Sequence, residues 1–419
     1  MPASNGRRVA ILGGCRTPFA RSGTVLKDAR AVDLARHAAR ELLHRSELDP
    51  AEVDEVIFGQ VVPSPLVPNV AREVSLLPQF PKEIPAFSLN RACASANQAI
   101  TASHDQIALG NAKVIIAGGT ESLSDIPILV SKRLSEILVE ASKAKSLGQR
   151  LRTFARVRMR DFAPVSPAIA EPSTGMSMGQ SAEKMAKENG ITREEQDRWA
   201  LRSHQLAAAG HASGKLAAEI APWFPPNGRG GVVTTDNGIR TDTSLEQMAK
   251  LKPAFDRRYG SVTAANSSPL TDGASAVLLA GADAARALGY RPLAYIRSYA
   301  VAAVDPGWQL LQAPVWAVPM ALERAGIQWK DLGLIEIHEA FAAQVLSNLQ
   351  GFREKGYEIN EDIINVMGGS IAIGHPFGAT GGRIVTTLAN EMERRDVEFG
   401  LVSVCAQGGM GFAMVLERS

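Results

Sequence analysis

Cysteine 93 stands in Ser88-Leu89-Asn90-Arg91-Ala92-Cys93-Ala94-Ser95-Ala96-Asn97-Gln98-Ala99-Ile100, among small residues and just before a helical stretch predicted over 98–109. A thiol at a helix N-terminus meets unpaired backbone N–H groups and the positive end of the helix dipole, which favour thiolate. An isolated cysteine is more commonly a buried structural one, so this segment alone does not decide. A second segment runs Asn365-Val366-Met367-Gly368-Gly369-Ser370-Ile371-Ala372-Ile373-Gly374-His375-Pro376-Phe377-Gly378-Ala379-Thr380-Gly381-Gly382-Arg383. Glycines that permit close backbone approach surround one histidine there, a loop suited to pressing His375 against a ligand. A third, Val404-Cys405-Ala406-Gln407-Gly408-Gly409-Met410-Gly411, reads as a strand entering a tight turn. Its N–H groups can bind an oxyanion while the Cys405 thiol enters the same space. His338, in Ile337-His338-Glu339-Ala340-Phe341-Ala342, is either a site residue or a core histidine. The seven histidines and three cysteines show no metal-type spacing, so no metal is expected.

These residues need a scaffold that joins distant segments. Short apolar runs at 9–12, 56–58, 114–117, 334–337 and 401–404 read as buried strands. Between them lie amphipathic helices such as 32–43, which points to an α/β sheet protein. The chain repeats itself once in outline. Asp49 to Gly59 is echoed by Trp329 to His338, and Cys93 to Gly119 by His375 to Gly409. Two such halves packed together would bring corresponding loops to one site.

At 419 residues more than one packed unit is expected. A net charge of +2 gives no reason to expect nucleic-acid binding. No apolar run is long enough to span a bilayer, and the polar start over residues 1–8 leads into a strand rather than a signal peptide. Three cysteines in so long a chain make no disulfide framework, which points to a reducing cytoplasm. Between Ser131 and Asp161 nine Lys or Arg face only Glu136, Glu140 and Asp161, with a helical apolar stripe at Leu134, Ile137, Leu138 and Ala141. That segment is a solvated helix, a docking surface for a membrane or partner, or a landing site for phosphates.

Taken together, the four segments resemble the nucleophile, His-Glu/Asn-Glu, Gly-His-Pro and C-terminal Cys-Gly motifs of the thiolase family, in that order. Arg16-Thr17-Pro18-Phe19, Gly118 to Ser122, Met178 to Glu183, Arg193 to Asp197, Ser203-His204 and Val262 to Ala274 also match, so the likeness covers nearly the whole chain. It is strongest toward the thiolase (β) subunit of the fatty-acid oxidation trifunctional complex, on His338, Ala144 to Leu151, Asp305-Pro306 and Gln309-Leu310-Leu311. The resemblance implies a five-layered αβαβα fold of duplicated core halves. Residues 1–121 would form the N-terminal half, completed by 252–287, with 122–251 an inserted loop domain and 288–419 the C-terminal half.

The resemblance also implies CoA-dependent cleavage of 3-ketoacyl-CoA. Cys93 would be the acyl-carrying nucleophile, His375 its base, and Cys405 the acid and base at carbon, a task suited to a thiol of pKa about 8.5. His338 would hold a water near the enolate oxygen, with His375 beside it. The backbone N–H groups of Cys93 and Gln407 would form the other oxyanion hole, although many thiolases carry Gly where Gln407 stands. Ser268 and Ala265 would contact CoA. Ser177 stands where short-chain members usually carry His, which suggests longer acyl chains. Coenzyme A enters as co-substrate with no covalently bound cofactor. A homodimer or homotetramer is implied, together with a hydratase/dehydrogenase partner chain and peripheral membrane contact through 131–161. Three rival readings are an acetoacetyl-CoA-forming acetyltransferase, a decarboxylating ketoacyl synthase and a non-catalytic thiolase-like lipid-binding scaffold. Cys405 argues against the synthase, since decarboxylation needs no base at carbon.

Overall fold

Strands that are apolar at every position must be covered on both faces, and the computed structural model has that form. It describes residues 7–164, 170–226, 228 and 231–418; the polar lead predicted over 1–8 lies outside these as far as residue 6. The strands are β1 (Val9–Arg16), β2 (Ala20–Arg21), β3 (Glu55–Gly59), β4 (Ala86–Leu89), β5 (Val114–Glu121), β6 (Thr271–Gly281), β7 (Ala294–Ala303), β8 (Leu334–Ile337), β9 (Phe399–Ala406) and β10 (Met410–Glu417). Nine of them follow one path, β4-β3-β5-β6-β1-β7-β10-β9-β8, with β2 paired to β6.

The duplication is explicit in the pairing. In the first half β3 runs parallel to β4 and β5, then β6 and β1 add antiparallel. In the second, β8 runs parallel to β9 and to a bridge at Ile364, then β10 and β7 add antiparallel. A 3-10 turn precedes β3 (Pro50–Glu52) and another precedes β8 (Trp329–Asp331), matching the repeat seen in the sequence. The halves meet where β1 pairs with β7 at Ala10↔Tyr295 and Ile11↔Ala294.

Alternate strand residues supply different layers. Ile57, Ile115, Val277, Val402 and Val404 face an inner cluster with Ile100 of the helix Ser95–Ala108 and Ile384, Leu388 and Met392 of the helix Thr380–Arg395. Val56, Phe58, Ile116 and Leu278 face outward to Leu34, Ala38 and Leu42 of the helix Ala31–Ser46. Ile335, Ile337, Leu401 and Val415 face outward to the helices Pro314–Ala325 and Ala342–Glu354. Each large aliphatic side chain so buried stabilises the fold by about 1.5–3 kcal/mol. The five layers are helix, sheet, helix pair, sheet, helix. The two inner helices follow Cys93 and His375 directly, so the layering itself places the two loops together. Gly381 lets them touch, since a Cβ there would lie 2.2 Å from Asn97 Oδ1.

Residues 126–170 form one unit; the segments before and after it form the other. Residues 171–251 join the main unit because the helix Arg193–Ala212 bonds into its core: Trp199 Nε1 donates to Glu339 Oε1 at 3.0 Å and Ser203 Oγ to Glu339 Oε2 at 2.7 Å. Within 126–170 the helices Lys132–Lys143 and Leu147–Phe154 are capped by Ser131 and Ser146. Leu134, Ile137 and Ala141 of the predicted stripe are buried, but Leu138 is exposed. Among the described residues no helix is long and apolar enough to cross a membrane.

Candidate active site

Cys93 rides a strained turn. Ala92 has φ +45°, unusual for a residue with a side chain. Asn90 Oδ1 accepts from Ala92 N at 2.8 Å, while Ser95 Oγ accepts from Arg91 N and donates to Ala92 O. The turn lifts the thiol above the helix start, where the backbone N–H groups of Gln407 and of Cys93 itself bond the sulfur. Burial nevertheless pushes the thiol up to about 11 against those two bonds. Loss of solvent thus outweighs the N–H groups and the helix dipole that favour thiolate.

His375 enters from the glycine loop. Gly374, at φ +115°, has no room for a side chain, since a Cβ there would lie 2.8 Å from Thr271 Oγ1. Thr271 Oγ1 in turn accepts from His375 N at 3.0 Å. The imidazoles of His375 and His338 lie 4.0 Å apart between centroids. One ligating atom each of Cys93, His338 and His375 falls within a 4.8 Å grouping. Sequence spacing could not reveal this cluster, whose donors are of the kind that hold zinc. Cys405, on β9 and buried, is pushed well above its ordinary range by burial and then by the neighbouring Cys93. A thiol titrating near working pH was expected, and the dry surroundings remove it.

Hydrogen-bond direction assigns opposite tautomers to the two histidines. Thr380 Oγ1 donates its proton to Pro376 O at 3.0 Å, so at 2.6 Å from His375 Nδ1 it accepts. The His375 proton therefore sits on Nδ1, leaving Nε2 as a bare acceptor. Ser370 Oγ accepts from Arg383 Nη2 at 2.9 Å and lies 2.9 Å from His338 Nδ1, to which its own proton goes. His338 thus carries its proton on Nε2. Among the described residues both Nε2 atoms are buried without a protein partner. Burial, then Arg383, pushes His375 down to about 3; burial, His375 and Arg383 hold His338 well below its usual value. Both rings are neutral at physiological pH: one accepts a proton, the other donates a hydrogen bond.

The remaining expected site residues are placed as follows. Gln407 contributes its backbone N–H, and the adjacent Gly408 N–H donates to Glu171 Oε2 at 3.0 Å. Ser268 is tied to the His338 segment, its N and Oγ both donating to Ala340 O. Ala265 packs in the outer apolar cluster with Trp199 and Met248. Ser177 caps the helix Met178–Glu188 in a reciprocal box with Gln180. Sequence reasoning gave no role to several residues that hold the site. Glu339 also accepts from Asn365 Nδ2 and Ile371 N, which fixes the His338 and glycine segments to each other. Glu121 accepts from Val61 N, Val62 N and Gly378 N, joining the halves; its place in the Gly118 to Ser122 match was the available signal.

A cysteine held on backbone N–H groups, facing an acceptor imidazole, is the arrangement of an enzyme that carries acyl groups on sulfur. Family models for the thiolase N-terminal domain and the thiolase C-terminal domain match residues 9–283 and 290–418. The 3-ketoacyl-CoA thiolase of Cronobacter sakazakii is 50% identical, the alignment covering 98% of this chain and 97% of that protein. Two solved structures are similar throughout. The Bacillus anthracis acetyl-CoA acetyltransferase has a TM-score of 0.87 at 33% identity, covering 99% of this chain and 100% of that one. The human mitochondrial 3-ketoacyl-CoA thiolase in complex with CoA has a TM-score of 0.85 at 34% identity, covering 99% and 98%. The chain belongs to the thiolase family, whose members are acyltransferases.

Proposed function

We propose that this chain is a 3-ketoacyl-CoA thiolase that splits 3-ketoacyl-CoA with free CoA, giving acetyl-CoA and a shortened acyl-CoA in fatty-acid breakdown. The observation that carries the chemistry is the 4.8 Å grouping of Cys93, His338 and His375, with the Gln407 N–H on the sulfur. The Cys93 proton passes to His375 Nε2, and the thiolate adds to the 3-keto carbon. The new oxyanion meets the N–H groups of Cys93 and Gln407, each such donor lowering a barrier by about 2.7–4 kcal/mol. The C2–C3 bond then breaks, its electron pair passing to an acetyl-CoA enolate whose oxygen faces His338 and His375. Cys405 protonates C2. In the second half, CoA gives its thiol proton to the Cys405 thiolate, attacks the acyl group and releases Cys93, which recovers its proton from His375.

Coenzyme A is thus a co-substrate, with Ser268 and Ala265 as its proposed contacts. The matched strand order of the halves supports a core split into 1–121 with 252–287 and 288–419, and 122–251 as one insertion. A cytoplasmic homodimer or homotetramer with a hydratase/dehydrogenase partner fits the family. Exposed Leu147, Leu151, Met159 and Phe162 among Arg150, Arg152, Arg158 and Arg160 support peripheral docking on an anionic membrane. Flotation with anionic vesicles tests this, and a neutralised variant that floats equally well removes it. The likeness to the acetyl-CoA acetyltransferase of B. anthracis favours a second reading, acetoacetyl-CoA formation.

Thiolysis rates over 3-ketoacyl-CoA of increasing length separate the two readings. A mass label on Cys93 after acyl-CoA treatment, absent from Cys93→Ala, tests the covalent step; label persisting in that variant refutes it.

A further inference from the structure

We infer that Arg383 and Ser370 are positioning residues that hold His338 as its Nε2–H tautomer, so that its ring donates directly to the oxygen that becomes an enolate. The functional half of this rests on the reading above; the tautomer half does not.

A serine hydroxyl has one proton and can turn it either way. Beside a neutral histidine it could equally donate to Nδ1 or accept from it, leaving the ring's proton undetermined. Arg383 removes that freedom. Its guanidinium cannot be an acceptor, and Nη2 fills a lone pair of Ser370 Oγ at 2.9 Å. Oγ keeps a second lone pair, but among the described residues His338 Nδ1, also at 2.9 Å, is the one other hydrogen-bond partner of the hydroxyl, so its proton is satisfied only by pointing there. All three side chains are fully buried, so water does not scramble the chain of bonds.

Arg383 has a carboxylate nearby, but the serine is its closer contact. Glu336 Oε2 is 3.4 Å from Nη1, long for a charge-assisted bond. Burial pushes the Glu336 carboxyl up to about 8. The result is a buried cation that reaches the His338 ring through one hydroxyl. Imidazole can either accept or donate at the atom facing substrate, and this pairing selects donation. His375, one ring away, is set to the opposite state by Thr380 and Pro376.

The test uses full-length protein labelled with 15N-histidine, the His338 resonances being assigned by their loss in His338→Gln. Nitrogen and proton shifts distinguish the two tautomers without any turnover. Nε2–H is expected in the wild type and a mixed or Nδ1–H ring in Ser370→Ala. Thiolysis kcat should fall about tenfold or more in Ser370→Ala with KM changed less than about threefold, and Ser370→Thr should recover it. An Nδ1–H ring in the wild type overturns the inference, as does a Ser370→Ala protein whose ring stays Nε2–H. A ring that shifts while kcat stays the same overturns the link to the enolate. A wild type with the expected ring but no thiolysis of any chain length refutes the proposed function and leaves the tautomer assignment standing.

Discussion

Replacing Thr380 with valine keeps the volume of a fully buried side chain and removes only its hydroxyl. The bond lost is the 2.6 Å contact that receives the His375 Nδ1 proton. Left unpaired in a dry site, that N–H costs about 1–3 kcal/mol. The ring can avoid the cost by moving the proton to Nε2, the atom that faces Cys93. Either route weakens the base: one raises the energy of the useful tautomer, the other consumes it. Taking that range as the free energy of restoring the bare Nε2, kcat/KM should fall about 5- to 160-fold, at about 1.36 kcal/mol of barrier per tenfold. The acylation half-reaction, followed by rapid quench with acyl-CoA and mass detection on Cys93, should slow by the same factor. Thermal unfolding of the variant checks that the fold is retained. If acylation stays within about threefold of the wild type while the fold is intact, the Thr380 hydroxyl does not set the base, and the assignment of a bare Nε2 is wrong.

Cys405→Ala should still acylate Cys93 from acetyl-CoA yet lose exchange of the acetyl α-protons; exchange at the wild-type rate would remove Cys405 from the carbon step. Asp236→Asn should destabilise the protein by about 3–5 kcal/mol, because Arg16, bidentate to Asp236 at 2.6 and 2.8 Å, loses that carboxylate while fully buried, with Glu219 only at 3.9 Å. Burial alone would raise the Asp236 carboxyl, but Arg16 and His211 hold it well below the usual range. A depressed carboxylate gives stability that is present above its unfolded pKa of about 3.9 and lost as pH falls through the folded value. The gap in melting temperature between wild type and variant should therefore persist at pH 5 and narrow only below about 4. Glu339→Gln should lower the melting temperature and thiolysis together, since one amide oxygen cannot replace a carboxylate that accepts four bonds.

The parts of the fold carried by periodicity were legible before any coordinates. The strand 334–337 falls on its predicted bounds, and the predicted 9–12 and 114–117 each extend into longer strands. The chemical residues were legible because glycine and proline mark their loops. What stayed hidden depends on register between distant segments. Ser370 and Thr380 lie inside the glycine-rich stretch, but nothing local says that one donates to a histidine and the other accepts from one. Glu171 is an ordinary acid until the Gly408 turn is folded against it. The raised thiols were hidden for a related reason: the helix dipole can be inferred from a short segment, whereas the removal of water is a property of all five layers.

The position of β6 has a consequence for how the chain comes together. This strand lies between β5 and β1 in the first sheet, yet it follows them by a long excursion and spans Thr271–Gly281. Until residue 281 leaves the ribosome, β1 and β5 each present an open, apolar edge with the partner still unmade. The first sheet cannot close early, and the long loop to be gathered makes that closure slow. Nascent chains halted before residue 271 should therefore be unusually prone to aggregate and to need chaperones; in the second half β7 waits in the same way for β10, over a shorter excursion from residue 303 to 410.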